Sequence, residues 1–103
     1  MNMEDLINAA RKENWEFVDE KIPKVCNDVK VQDKALKLLA DKNENIRDLG
    51  ASILEKARID SDRFSRMRSP LVRVMRNDDH IYVKYRVAFA LANHEPGEYM
   101  QEV

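Results

Sequence analysis

The residue types that most often perform chemistry are present, but not in the spacings that chemistry requires. His80 and His94 lie far apart with no cysteine pair near either, so we predict no zinc site. The lone Cys26 follows Val25 on an apolar helix face, which favours a buried, inert thiol over a nucleophile. Acidic side chains are abundant near the N-terminus, but no apolar pocket accompanies them of the kind that tunes a carboxyl group for catalysis. We therefore expect no enzyme activity, no cofactor and no metal.

A row of arginines suggests anion binding as a second chemistry. Five arginines and no acid occur between Arg63 and Asn77. Such a row can neutralise the phosphates of nucleic acid, but no aromatic stacking platform is interleaved with it. Charge on a helix surface is more often solvated or paired with nearby acids, so nucleic acid is the less favoured partner. The basic face consists of Arg63, Arg66, Arg73 and Arg76.

Aromatic and polar side chains form a third candidate site on a helix predicted from about residue 80 to 94. Four of them recur at i, i+4, i+7 and i+11, and the corresponding positions of an earlier helix continue the strip. Tyrosine and arginine are the residue types that concentrate interface energy, so we expect this strip to contact a protein partner. The alternative is that Tyr85 and Phe89 pack against the neighbouring repeat or the C-terminal tail. The strip consists of Tyr82, Tyr85, Arg86, Phe89 and Asn93, continued by Asn45, Ser52 and Lys56.

An internal repeat predicts the elements that position these side chains. The stretch 78–91 has an earlier counterpart in 41–54, shifted by 37 residues, so that Asp41 aligns with Asp78 and Leu54 with Leu91. Apolar residues recur at helical spacing along the chain, and no stretch shows strand-like alternation. The pattern predicts an all-α protein of three antiparallel helix pairs.

The predicted single domain, residues 1–103, divides into units. A divergent N-terminal helix pair covers 1–28, two repeat units cover 29–58 and 60–95, and a tail covers 96–103. Pro23 predicts a kink or a break near residues 20–22, and Pro70 predicts a bend. The small Gly50 should let a neighbouring helix approach closely.

Composition limits the environment of the chain. The 103 residues carry 18 basic and 19 acidic side chains, so no overall field draws the protein to nucleic acid or to an anionic membrane. The N-terminus lacks the basic head and apolar block of a secretion signal, and a single cysteine forms no internal disulfide. We expect a cytoplasmic protein without a membrane span.

The repeat units resemble a known family. The run 83–91, VKYRVAFAL, preceded by Asp78 and Pro70, is similar to HEAT repeats and especially to the HEAT-like repeats of the phycobilisome-lyase type. The resemblance implies a short α-solenoid in which a turn acid and the following base link adjacent repeats as a ladder. It places Asp41, Arg47, Asp78 and Lys84 in the ladder. The earlier unit departs from the pattern, because Asp33 stands where Pro70 would be.

The sequence therefore predicts a small, non-catalytic HEAT-like protein that binds another protein through its concave helix face. The alternatives are nucleic-acid binding through the basic face, or a non-catalytic or lyase-like subunit of an enzyme complex. A homodimer is also compatible with the sequence, because apolar side chains near the two ends of the chain could associate. These side chains are Met3, Leu6, Tyr99, Met100 and Val103.

Overall fold

A computed structural model describes residues 2–94, and within that range the chain forms six α-helices and no strand. The helices are α1 (Met3–Arg11), α2 (Trp15–Val25), α3 (Val29–Leu38), α4 (Glu44–Lys56), α5 (Ser61–Asn77) and α6 (Ile81–His94). The prediction of an all-α chain is confirmed. Within residues 2–94, no helix combines the length and the apolar character that crossing a lipid bilayer requires. The predicted tail, 96–103, lies outside the described residues.

Short polar side chains define where the helices begin. The residue that precedes each of the first five helices is Asn or Asp, and its side-chain oxygen accepts a hydrogen bond from a backbone N–H of the first turn. These bonds satisfy donors that would otherwise lack a partner inside the helix. Asn14 caps α2, Asn43 caps α4 and Asp60 caps α5.

The two internal prolines do not interrupt their helices. α2 continues through Pro23 to Val25, so the break predicted near residues 20–22 is absent, and α5 runs unbroken past Pro70. Pro23 lies in the last turn of α2 and is exposed to solvent. Water can therefore satisfy the carbonyl that loses its helical donor there, which makes the proline tolerable.

Helix α4 is the centre of the packing. It packs against α1, α2, α3 and α6, while α5 packs mainly on α6. One apolar cluster extends from Leu6 in α1 to Leu91 in α6 and joins all six helices. Since Leu6 is fully buried in this cluster, its predicted role at an associating end of the molecule is wrong.

Equivalent positions of the two repeat units are buried alike. Ile46 and Val83 are both almost completely inaccessible, and so are Leu54 and Leu91. Each pair is separated by the same 37 residues that separate the repeated sequences. The shared shift therefore marks equivalent core positions in α4 and α6.

Gly50 allows α3 and α4 to come into close contact. A Cβ atom added at Gly50 would lie 2.6 Å from the carbonyl oxygen of Ala35 and 3.0 Å from the Cβ of Leu38. The first of these atoms is backbone and cannot move aside without shifting α3. The predicted close approach at Gly50 is thus confirmed, and its neighbour is α3.

We predict that Gly50→Ala destabilises the protein, although the same change in an exposed helix interior gains about 1 kcal/mol. The added methyl group forces α3 away from α4, and overpacking of this kind costs about 1–3 kcal/mol. Urea unfolding followed by circular dichroism measures the difference. Arg66→Ala, at an exposed position of α5, is the control and should leave stability nearly unchanged. A Gly50→Ala protein as stable as the parent would contradict the close packing of α3 on α4.

Candidate functional site

Arg47 joins the turn before α4 to the turn before α6. Its Nε donates to Oδ2 of Asp78 at 2.9 Å and its Nη2 to Oδ1 of the same carboxylate at 3.3 Å. Its Nη1 donates to the backbone carbonyls of Asp41 and Lys42 at 3.0 and 3.1 Å. The side chains of Arg47 and Asp78 are only 16% and 7% exposed, so this forked contact is well shielded from water.

The two turn acids have the same local role. Oδ1 of Asp41 accepts the backbone N–H of Asn43 at 2.8 Å, and Oδ1 of Asp78 accepts that of His80 at 2.9 Å. Each acid thereby fixes the turn that begins the following helix. The structure thus brings three of the four predicted ladder residues together. Lys84, the fourth, is half-buried and forms no ion pair with any residue in the range 2–94.

A second polar contact holds α6 against α4. Arg86 Nε donates to Oδ1 of the buried Asp48 at 2.5 Å, and its Nη1 lies 3.7 Å from Oε1 of Glu55. Asn93 Nδ2 donates to the backbone carbonyl of Glu55 at 3.2 Å. Arg86 and Asn93, predicted as partner-binding residues, therefore also connect the two helices within the molecule.

Ser52 does not belong to an accessible strip. It is 6% exposed, and its hydroxyl donates to Oδ1 of Asp48 at 3.4 Å. The prediction that it faces a partner is wrong, because a helical wheel assigns Ser52 to a side of α4 but does not show that α6 packs there. Lys56 is exposed and Asn45 is half-buried on the same helix.

The apolar part of the strip remains open. Tyr82 is 61% exposed, Tyr85 45% and Phe89 50%, and Ile81, at 53%, adjoins them at the start of the helix. We call these four residues the aromatic face of α6. The alternative that Tyr85 and Phe89 are buried against the neighbouring repeat is wrong, and their predicted packing against the C-terminal tail concerns residues outside the described range. Large apolar side chains grouped on one helix surface are typical of contact sites.

The arginines of α5 divide into two groups. Arg63 Nη2 donates to Oε1 of Gln32 at 3.0 Å and to Oδ1 of Asp33 at 3.2 Å, so it links α5 to α3. Arg66 and Arg73 are exposed. A shallow groove of about 540 Å³ runs along α5 and contains no acidic side chain. It is lined by Ser65, Arg68, Ser69, Val72, Arg73, Arg76 and Asn77.

Sequence reasoning missed the buried Gln32. Its Nε2 donates to the carbonyls of Cys26 at 3.0 Å and Arg58 at 3.1 Å, while its Oε1 accepts from Arg63. It is 1% exposed, and both its amide nitrogen and its amide oxygen have partners inside the protein. One feature of the sequence indicates this burial: Gln32 directly follows Val31, at the edge of the apolar stripe of α3.

The remaining reactive side chains are separate from one another. Cys26 is buried, as predicted, with its Sγ 3.7 Å from the carbonyl of Lys56. His94 stacks on Phe64 with ring centroids 4.2 Å apart, and His80 Nε2 lies 3.8 Å from Oε2 of Glu44. In the described part of the chain, no group of three or more His, Cys, Asp or Glu side chains is arranged to hold a metal ion.

Comparison of the chain with protein-family models, with curated proteins and with solved structures found no match. The candidate functional site is the aromatic face of α6, which the two polar contacts hold in position.

We predict that the Arg47–Asp78 contact contributes a coupling free energy of about 2 kcal/mol, because its forked hydrogen bonds are shielded from water. The parent, Arg47→Ala, Asp78→Ala and the double variant form a double-mutant cycle, and urea unfolding measures the free energy of unfolding of each protein. The cycle is needed because Asp78 also accepts the backbone N–H of His80, so Asp78→Ala alone removes that turn hydrogen bond as well.

The Lys21–Glu20 pair, 3.6 Å apart with an exposed carboxylate, is the matched control. Its coupling should be below about 0.5 kcal/mol and should fall further in salt. Equal couplings for the two pairs would show that Arg47 does not connect the turns energetically.

Proposed function

We propose that this chain is a short, non-catalytic HEAT-like repeat protein that binds another protein through the aromatic face of α6. The observation that carries the proposal is the grouped exposure of Ile81, Tyr82, Tyr85 and Phe89 on a helix that is otherwise firmly anchored. Among the described residues, no group of three or more His, Cys, Asp or Glu side chains competes with this face as a metal site.

The turn contacts support the HEAT-like part of the proposal. Asp41 and Asp78 form the same turn hydrogen bond, and Arg47 bridges one turn to the next. These are the roles that the resemblance implies for a repeat ladder. Helices α4 and α6, whose core positions are equivalent, also pack directly on each other.

The repeat register indicates what kind of partner fits. On α4, Asp48 and Ser52 are buried on the side where α6 packs. The positions 37 residues later are Tyr85 and Phe89, on the exposed face of α6. We therefore infer that the occupant is another α-helix, which presents an apolar stripe to the aromatic rings.

Two alternatives have less support. Nucleic-acid binding would use the basic face, but Arg63 already donates hydrogen bonds to Gln32 and Asp33 of the same chain. Only Arg66 and Arg73 of the four predicted residues are fully on the surface with no described partner. A lyase-like role as a subunit of an enzyme complex has no structural feature of its own among the described residues.

We predict that Tyr85→Glu combined with Phe89→Glu weakens binding of the partner at least about tenfold, because both carboxylates would be desolvated in the contact. A photo-crosslinking amino acid at position 82 first identifies the partner peptide by mass spectrometry. Titration of the purified partner against the parent and the variant then measures the loss.

Arg66→Glu combined with Arg73→Glu is the matched control, since it places two acids on an exposed helix surface outside the aromatic face. It should leave the affinity for the same partner nearly unchanged. Loss of binding in the arginine variant with retention in the aromatic variant would overturn the proposal and favour the basic face. Crosslinked peptides that do not come from an apolar helix surface would exclude the proposed occupant.

A further inference from the structure

We propose that the helix that covers the aromatic face is α6 of a second copy of this chain, so that the protein forms a two-fold symmetric dimer. This inference rests on the proposed function, because it names the source of the apolar helix that binds there. It differs from the dimer suggested by the sequence, which used the ends of the chain.

The exposed face of α6 does not suit the addition of another repeat of the same kind. On α4, the carboxylates of Asp48 and Glu55 receive Arg86 from the next helix. The positions 37 residues later are Tyr85 and Ala92, which have no charge to offer an incoming arginine. A buried arginine without an acidic partner is costly, so the favoured occupant is apolar at these positions.

The opposite end of the molecule does not provide that apolar surface. The exposed side chains of α1 and α2 are polar except for Pro23. Among the described residues, the exposed large hydrophobic side chains are the four of the aromatic face and Val29. Head-to-tail stacking would place aromatic rings on charged groups, whereas pairing α6 with α6 places apolar surface on apolar surface.

The pattern of the face is suited to an antiparallel pairing. A two-fold axis beside Tyr85 and Arg86 lies midway along the aromatic face, so Tyr82 of one copy faces Phe89 of the other. The four residues of the face carry no charge, Arg86 beside them is paired with Asp48 and Glu55 of its own chain, and the net charge of the chain is only −1, so repulsion between copies is weak. Tyrosine suits the solvent-accessible rim of such a contact, because its ring can be buried while its hydroxyl group stays hydrated.

The available area indicates a dimer of modest affinity. Four large side chains that are each about half exposed present roughly 400 Å² per copy, or about 800 Å² for two copies. Residues that flank the face bring the contact toward the ~1,000 Å² at which specific interfaces begin. Self-association is therefore expected in the micromolar range rather than the nanomolar range.

Sedimentation equilibrium from ~1 to ~200 µM tests the inference on the full chain. We expect the mass to rise toward that of two chains, and the Tyr85→Glu, Phe89→Glu variant to remain a monomer with unchanged helix content. The Arg66→Glu, Arg73→Glu control should associate like the parent. A parent chain that stays monomeric throughout this range would overturn the inference, and so would an aromatic variant that associates as strongly as the parent.

Disulfide trapping tests the symmetry. In a Tyr85→Cys protein the two introduced thiols lie near the proposed axis, so mild oxidation should yield a covalent dimer, while a Glu20→Cys control on α2 should not. The native Cys26 is buried and present in both proteins. Mixed dimers between Tyr85→Cys and Glu20→Cys chains, formed more readily than Tyr85→Cys dimers, would show head-to-tail association and overturn the two-fold arrangement.

The outcomes separate this inference from the proposed function. If the parent is a monomer but the aromatic variant still loses a purified partner at least about tenfold, the dimer fails and the proposed function stands. If the parent is a monomer and the aromatic variant binds that partner as the parent does, both fail.

Discussion

The forked contact between Arg47 and Asp78 is the constraint on which the placement of the last helix pair depends. Apolar burial alone does not select a single register between two helices, because the hydrophobic effect is not directional. A guanidinium that is bound at once to a carboxylate of the next turn and to two carbonyls of its own turn has only one favourable position. It therefore fixes the start of α6 relative to the start of α4.

A second polar contact fixes the rotation of α6. Arg86 bonds to Asp48, which lies in the middle of α4, so α6 cannot turn about its axis without breaking that bond. The apolar residues Val83, Val87 and Leu91 supply most of the burial, and the polar pairs select one register and one rotation from those that burial alone allows. The orientation of the aromatic face is a consequence of both polar contacts.

Part of this arrangement can be read from the sequence. The helices and the equivalence of Ile46 with Val83 follow from periodicity and from the internal repeat, because local spacing determines which residues share a helix face. The crossing of two helices is a tertiary property. Ser52 was therefore misplaced, and the buried Gln32 was not found, since a wheel does not show which face a neighbouring helix covers.

The fold does not account for the aromatic face. Val83, Val87 and Leu91 are fully buried on the core side of α6, whereas about half of each aromatic side chain faces solvent, where polar residues would favour solubility. On α4 the equivalent side is polar even though it is buried, since its acids receive Arg86 from the next helix. Aromatic residues thus occupy the face that α6 presents to solvent, where no described helix covers them. The proposed apolar contact with a second chain would account for this inversion of the usual distribution.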